Sequence, residues 1–599
     1  EKEGIFIMNM KKILSLVLAL ALCVSIFAAC GNGGDSSTSS TGGESSAATD
    51  GGEGSDAADS EPIDVLNQEE TMDLTLTVMT GFTQQDSEIE KWIEDLYNVN
   101  IELNVLPGYT DGQAQIQLIM AGDELPDTIW FWSMDTQYQQ WVDAGLLADV
   151  SSYVEKYPNI RNYYNKMDPN TLFFASDDSG AMYRIPGDVA EPSCEVLWIR
   201  QDWLDNLKLE VPTTIDELEE VMRAFTEDDP DGNGQDDTYG LGGDGYDFRS
   251  FWPWIQAYDY THYANWVVDD AGNVQYGPAT EGTRKWITDV ADLYAKGYIT
   301  QNITQDTNRD EEMAVGGFGV TYSWVAWNNP SAQTMISFYS SNPDAEWVPI
   351  DMVAGENGNP QEDPATSAAW AYFSITKDCE NPERLYAIWD DMVSDENYMK
   401  RRFGVEGEHY KYDDNGQYQA IISPEGDENK EQNIGLMLFD NCVNRKDYCN
   451  IANTPETTAL FDKSGAESRD RYAQLVEWKD PAAFTSWQDL GTDIGDQKDQ
   501  YLWGVIAGTN DTESGWDNYI ATLNSLGLEE CTAEANELYA AQSAALEDYL
   551  AAHEADIAEA QEAAAESSAT EESSATEESS AAEESTESVA EESSESAAE

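Results

Sequence analysis

Histidine and positive charge are what this sequence has least of. Its 599 residues include three His (His262, His409 and His553) and 30 Lys or Arg against 116 Asp or Glu, a formal net charge of −86. So few imidazoles speak against a His-based metal site or a Ser-His-Asp triad. So acidic a surface repels nucleic acid and anionic lipid head groups, and it makes a polyanionic ligand a poor fit; neutral or cationic ligands suit it better. The last 47 residues supply 16 of the acids and no Lys or Arg, so most of the excess is spread through the rest of the chain. Cysteine is also sparse, with seven and no CxxC pair. Long apolar runs are absent but for one: residues 13–29 are uncharged and apolar, and no other stretch could span a bilayer.

That one run has the layout of a secretory signal. Lys11 and Lys12 precede it and small residues close it. The ending Phe27-Ala28-Ala29-Cys30-Gly31 resembles a lipobox, with Phe27 where Leu is usual, which implies that Cys30 takes a diacylglycerol anchor. Residues 31–61, rich in Ser, Gly, Asp, Glu and Ala, have no core to bury and read as a disordered tether. With Cys23 and Cys30 set aside, Cys194, Cys379, Cys442, Cys449 and Cys531 remain. An odd number implies no disulfide framework, although a single bridge such as Cys442 to Cys449 stays open. Residues 533–563 have high helix propensity, and the chain then passes into Glu/Ser/Ala/Thr repeats. The expected organisation is a lipoprotein signal at 1–30, a tether at 31–61, a bilobal domain at 62–552 and an acidic low-complexity tail at 553–599.

What is present in quantity is secondary-structure pattern and aromatic residues. Strand-like alternation at 74–79, a helical stretch at 87–97, a strand at 100–106, a helix at 113–121 and a short apolar strand at 127–131 follow in order. This β-α-β-α-β sequence predicts an α/β fold, a mostly parallel sheet flanked by helices, in which ligands bind beyond the carboxyl ends of the strands. The domain is long enough for two such lobes, and two lobes facing each other make a cleft that closes by a hinge.

The segments Ala121-Gly-Asp-Glu-Leu-Pro-Asp127, Trp141-Val-Asp-Ala-Gly-Leu-Leu-Ala-Asp-Val150, Leu197-Trp-Ile-Arg-Gln-Asp-Trp-Leu204 with Leu209-Glu-Val-Pro-Thr-Thr-Ile-Asp-Glu-Leu218, Phe373-Ser-Ile-Thr-Lys377 with Asn381-Pro-Glu383, and Phe403-Gly-Val-Glu-Gly-Glu-His-Tyr410 stand in a telling order. Over roughly residues 72–530 they resemble the family 1 extracellular solute-binding lipoproteins, the carbohydrate-type receptors of ABC importers. The resemblance implies a two-lobed periplasmic-binding-protein-like fold of type II, no catalysis, and a lipid-anchored position on the extracellular face of the membrane. The partners would be a neutral oligosaccharide and ABC permease subunits, with no nucleic acid and the protein a monomer. Lobe crossings are then expected near residues 188–197, 366–373 and 440–460.

Two local motifs need weighing. Asp229, Asp231, Asn233 and Asp237 stand at positions 1, 3, 5 and 9 of a loop with Gly234 at the turn and the Gln235 carbonyl at position 7, the oxygen spacing that wraps Ca²⁺. Position 12, where an EF-hand carries Glu, is Gly240. A structural calcium is expected, its shell completed from elsewhere. Gly240, Gly242 and Gly245 spell GxGxxG, but no strand precedes them and acids surround them, so a nucleotide site is not expected.

The chain has 19 Trp and 30 Tyr, whose faces stack on the apolar faces of sugar rings. Trp130 and Trp132, at the end of the strand after Asp127, Trp252 and Trp254 in a Pro-broken aromatic segment, Trp324 and Trp327 after the Gly-rich turn at 316–319, and Trp370 near a crossing are the candidates. At least two should touch ligand. Of Trp130 and Trp132 only one should do so, the other turning toward the core. A surface glycoside hydrolase would need a pair of carboxylates about 5–10 Å apart. A receptor for peptides or another solute, and an adhesin, are the other readings.

Overall fold

The computed structural model describes residues 65–564, apart from scattered single residues and short segments, 188–194, 325–332 and most of 359–370 and 422–474. The signal, Cys30, the tether and the repeats beyond 564 lie outside the described residues, as do the side chain of Trp324 and all of Trp327 and Trp370.

Eleven strands matter for the site: β1 (Met72–Met79), β2 (Val99–Leu106), β3 (Thr128–Trp132), β4 (Ile185–Pro186), β5 (Glu195–Arg200), β6 (Tyr239–Leu241), β7 (Trp266–Val268), β8 (Val274–Tyr276), β9 (Phe318–Trp324), β10 (Trp347–Ile350) and β11 (Ala371–Ile375). The opening βαβ unit forms as its pattern dictates. The hydroxyl of Ser87 accepts from the Glu90 N–H and starts the helix Glu88–Tyr97, whose first-turn acids Glu88 and Glu90 sit at the positive end of the helix dipole. Asn98, left-handed at φ 53°, ends it and returns the chain to β2, which pairs in parallel with β1 from Met72↔Val99 onward. The helix Tyr109–Met120 follows and leads to β3. Side chains fasten β3 to β1: the Thr77 N–H donates to Thr128 Oγ1 at 3.0 Å, and the Thr75 N–H to Asp127 Oδ2 at 2.7 Å.

Two separate hydrophobic cores divide the chain. The first gathers Ile93, Ile129, Phe131, Tyr164, Phe373 and Trp389, and its members come from residues 72–185 and 369–443. The second gathers Trp203, Phe225, Trp286, Leu502 and Leu523, from residues 197–353 and 476–535. The protein is therefore two-lobed. The chain changes lobe within 187–195, 355–369 and 443–475, windows that overlap the three crossings expected from sequence.

The crossings explain the strand directions. In the second lobe the order is β10-β5-β9-β6, with β6 parallel to β9 and β5 antiparallel to both β9 and β10. In the first lobe β11 lies between β3 and β4 and runs antiparallel to each. Both β5 and β11 open just after the chain has entered a lobe, so they run away from the crossing end, while β3 and β9 run toward it. The mostly parallel expectation thus holds only for β1–β2 and β6–β9; it gives way at the two returning strands, and β7–β8 is antiparallel as well. Alternation along β5 puts Leu197 and Ile199 in the second core and Val196 and Trp198 in a smaller cluster with Phe318, Phe338 and Trp347, so helices cover both faces of this sheet.

The helix Leu528–Ala552 closes the second lobe, and helical residues run on to 564, past the 552 boundary drawn from composition. Among the described residues, no helix is long and apolar enough to cross a membrane. Cys379 and Cys531 are buried thiols, and burial pushes Cys379 up to about 12; Cys194, Cys442 and Cys449 lie outside the described residues.

Candidate ligand-binding site

The register fixes which residues stand at the crossing ends. Trp132, the last residue of β3, pairs with Ala371, the first of β11. Trp324, the last of β9, pairs with Glu195, the first of β5. One tryptophan therefore ends a strand at the crossing edge of each lobe. Trp130 and Trp132 do not part: residues two apart on a strand share a face, and their rings meet edge to face at 4.4 Å. That corrects the expectation that one of them would turn away. Trp130 lies deeper, at 1 % exposure against 6 % for Trp132. The helix Tyr109–Met120 presses on Trp132 so closely that a Cβ on Gly112 would meet its ring at 3.0 Å.

The aromatic segment of the second lobe folds inward. Trp252 and Trp254, in the short helix Trp252–Ile255, are 0 % exposed and belong to the second core. The Trp254 indole donates to Glu219 Oε1 at 3.1 Å, and burial raises the Glu219 carboxyl above its ordinary value. Both rings are already surrounded by protein.

Polar groups gather just past β6. Asp244 Oδ1 accepts from the N–H of the buried Arg309 at 3.1 Å, and Asp247 and Arg249 stand half-buried beside it. Gly242 of the GxGxxG string and its neighbour Gly243 serve packing here. A Cβ on Gly242 would overlap the Phe318 ring at 2.1 Å, and one on Gly243 would overlap Ser250 Oγ at 2.2 Å. Near the crossing edge of the first lobe the Arg184 guanidinium lies 4.4 Å from the Tyr138 ring and 4.0 Å from that of Tyr372, and donates to the Phe174 carbonyl at 3.1 Å. Sequence reasoning missed this stack, because its members are far apart in the chain and carry no motif.

The acidic loop has the turns its glycines suggest. Asp229, Gly232 and Gly234 are left-handed at φ 50°, 69° and 79°. Both Asp229 oxygens accept from the Gly234 N–H, at 3.2 and 3.1 Å. The Asn233 amide donates to Asp231 Oδ2 at 2.8 Å and Asp237 Oδ1 at 3.1 Å, while Asn233 Oδ1 accepts from the Gln235 N–H at 2.7 Å. The oxygens of positions 1, 3, 5 and 9 are thus drawn into one exposed loop. Among the described residues no three Asp, Glu, His or Cys side chains are grouped so as to hold an ion by themselves. At position 12 a side chain is sterically barred, since a Cβ on Gly240 would sit 2.5 Å from Met222 Cβ and 2.7 Å from its Cα.

The chain as a whole has known counterparts. The model of the bacterial extracellular solute-binding proteins matches residues 81–397. The chain belongs to that family. This solute-binding protein is 24 % identical over 327 residues to the polygalacturonan/rhamnogalacturonan-binding protein YtcQ of Bacillus subtilis, a match covering 53 % of the chain and 63 % of YtcQ, under two thirds of that relative's length. It is 25 % identical over 452 residues to the lipoprotein LipO of the same organism, covering 71 % of the chain and 83 % of LipO. The fold is that of the Streptococcus pneumoniae substrate-binding protein FusA in complex with kestose, with a TM-score of 0.60 at 18 % identity over 79 % of this chain and all of that one.

Proposed function

We propose that this solute-binding protein captures a neutral oligosaccharide between its two lobes and delivers it to an ABC permease, without catalysis. The observation that carries the reading is the pair of strand-ending tryptophans, Trp132 and Trp324, at the crossing edges of separately cored lobes. Aromatic rings suit the C–H faces of sugars, and Trp132, 6 % exposed, would supply one on the first lobe; Asp244, Asp247 and Arg249 would bind hydroxyls. Of the relatives, YtcQ is named for polygalacturonan and rhamnogalacturonan, and FusA for fructooligosaccharide. The net charge of −86 favours a neutral glycan over a uronate. Trp130 would back Trp132, with Trp327 and Trp370 as further contacts; Trp252 and Trp254 would support the wall from within the core. The LipO likeness fits a lipid anchor at Cys30 and a place on the outer face of the membrane, with the protein acting as a monomer.

The same reading includes one structural calcium, held by Asp229, Asp231, Asn233, the Gln235 carbonyl and Asp237, with its remaining oxygens from water or outside the loop. FusA has also been solved as an EF-hand mutant, with a TM-score of 0.58 to this chain. Calcium would fix the loop between the helix Ile215–Glu227 and β6 and would take no part in ligand chemistry.

A thermal-shift series with calcium present tests the function. Ligand bound only by the native state at a hundredfold excess over Kd adds about 2.7 kcal/mol. The reading expects a rise with neutral oligosaccharides, no hydrolysis of them, and loss of the rise in Trp132→Ala. A rise with uronates or peptides alone refutes the neutral-sugar assignment, and turnover refutes the receptor.

A further inference from the structure

The helix Leu528–Ala552 belongs to both lobes. Its first turns are built into the second core through Leu528, Cys531 and Ala535, and Asn536 exchanges hydrogen bonds with the Val274 backbone at 2.8 and 2.9 Å. Its last turns lie on the first lobe, where Tyr549 packs against the first core with its ring 5.6 Å from that of Phe173. Helical residues continue beyond it to 564, with Ala560 buried.

A second connection converges on the same ring. Gln542, midway along the helix, accepts from the Lys479 N–H at 2.7 Å and donates to the Glu477 carbonyl at 2.7 Å. This holds the segment whose neighbours Val476 and Phe484 sit in the second core. From there the Lys479 ammonium reaches over the Phe173 ring at 4.1 Å and donates to the Asp177 carbonyl at 3.1 Å. Phe173, 2 % exposed, is thus gripped by a cation and a ring, both carried by elements rooted in the other lobe.

An α-helix rises 1.5 Å per residue, so the stretch from Ala535 to Tyr549 is a rod of about 21 Å with its two ends fixed in different cores. Such a rod does not stretch. Lobes joined by it turn about its far end, and they do not slide or separate there.

We propose that the C-terminal helix and Lys479 form a pivot at Phe173 that limits the two lobes to rotation and so sets the range of open geometries from which ligand is captured. The proposal rests on the capture reading above for its effect on affinity, and on packing alone for its effect on lobe geometry. Lobes that splay spend less time within reach of closure, and apparent affinity falls by that fraction.

The test uses the full chain carrying distance labels at Leu118 and Val315, exposed residues of the first and second lobes. Double electron–electron resonance reads the ligand-free interlobe distances, and calorimetry reads glycan affinity. Tyr549→Ala and Lys479→Ala should each broaden the distance distribution and raise the glycan Kd roughly five- to tenfold, with Tyr549→Phe matching the parent in both. Because neither residue is placed in the cleft, melting curves that remain cooperative separate a freed pivot from a misfolded lobe. Unchanged distances in the folded Ala variants overturn the proposal. Broadened distances in a protein that binds no glycan uphold the pivot and refute the capture reading instead.

Discussion

Replacing Trp254 by Phe separates a ligand contact from a core residue. The change removes the indole N–H that donates to Glu219 at 3.1 Å and part of a ring that is 0 % exposed. A hydrogen bond to a charged group contributes about 1.5–3 kcal/mol when buried, and Glu219 is only half-buried, so the lower end applies. The smaller ring leaves a gap in the second core that costs about 1–2 kcal/mol more. Together they predict a loss of about 2–4 kcal/mol in urea unfolding, or roughly 2–4 °C of melting temperature per kcal/mol for a lobe of this size. Glu219→Gln keeps an acceptor for the indole and should lose less. Glycan affinity of the folded Trp254→Phe protein should equal that of the parent. A drop in affinity with stability unchanged would refute the reasoning and return Trp254 to the ligand.

Two further outcomes follow from the geometry. Chelation should lower the melting temperature of the parent and leave Asp231→Ala/Asn233→Ala unmoved, with about 2.7 kcal/mol at stake at a hundredfold excess of calcium over Kd; identical chelator responses in the two proteins would remove calcium from the loop. Burial raises Asp390, which accepts from the Ile160 N–H at 2.9 Å, to about 6, so the native state holds that proton more tightly than the unfolded chain does. Its contribution is complete below about pH 4 and lost as pH rises through about 6, up to about 3 kcal/mol. Asp390→Asn should therefore gain on the parent between pH 4 and 7 in denaturant midpoints, and a constant difference across that range would show that Asp390 does not titrate there.

The local elements were legible because their signals are local. The alternation of β1 and the helical stretch at 87–97 each depend on residues a few places apart, and the structure returns the first five elements within a few residues of their expected ends. The antiparallel course of β5 and β11 was not legible in that way. Both are short apolar runs, and a short apolar run looks the same in either direction. Their direction comes from where the chain re-enters a lobe, which is a property of the crossings. The Phe173 joint was hidden for a related reason, since Lys479 and Tyr549 meet that ring only once both lobes have formed.

Tryptophan count was the weaker guide to the site, and the cores show why. Two lobes with separate cores need large apolar side chains twice, and Trp130, Trp203, Trp252, Trp254, Trp286 and Trp389 are among the largest fully buried residues. Core demand therefore accounts for much of an abundance that first suggests sugar stacking. Position along a strand is the criterion on which the capture proposal rests instead. A tryptophan within a strand continues its sheet, whereas one that ends a strand at a crossing edge stands where that sheet stops. By register Trp132 and Trp324 end strands in the two lobes, and Trp252 and Trp254, in a short helix inside the second core, do not; that the first pair meets ligand is part of the capture proposal. The useful question of such a sequence is thus which aromatic residues fall where strands stop, and only the register, read across β3–β11 and β5–β9, answers it.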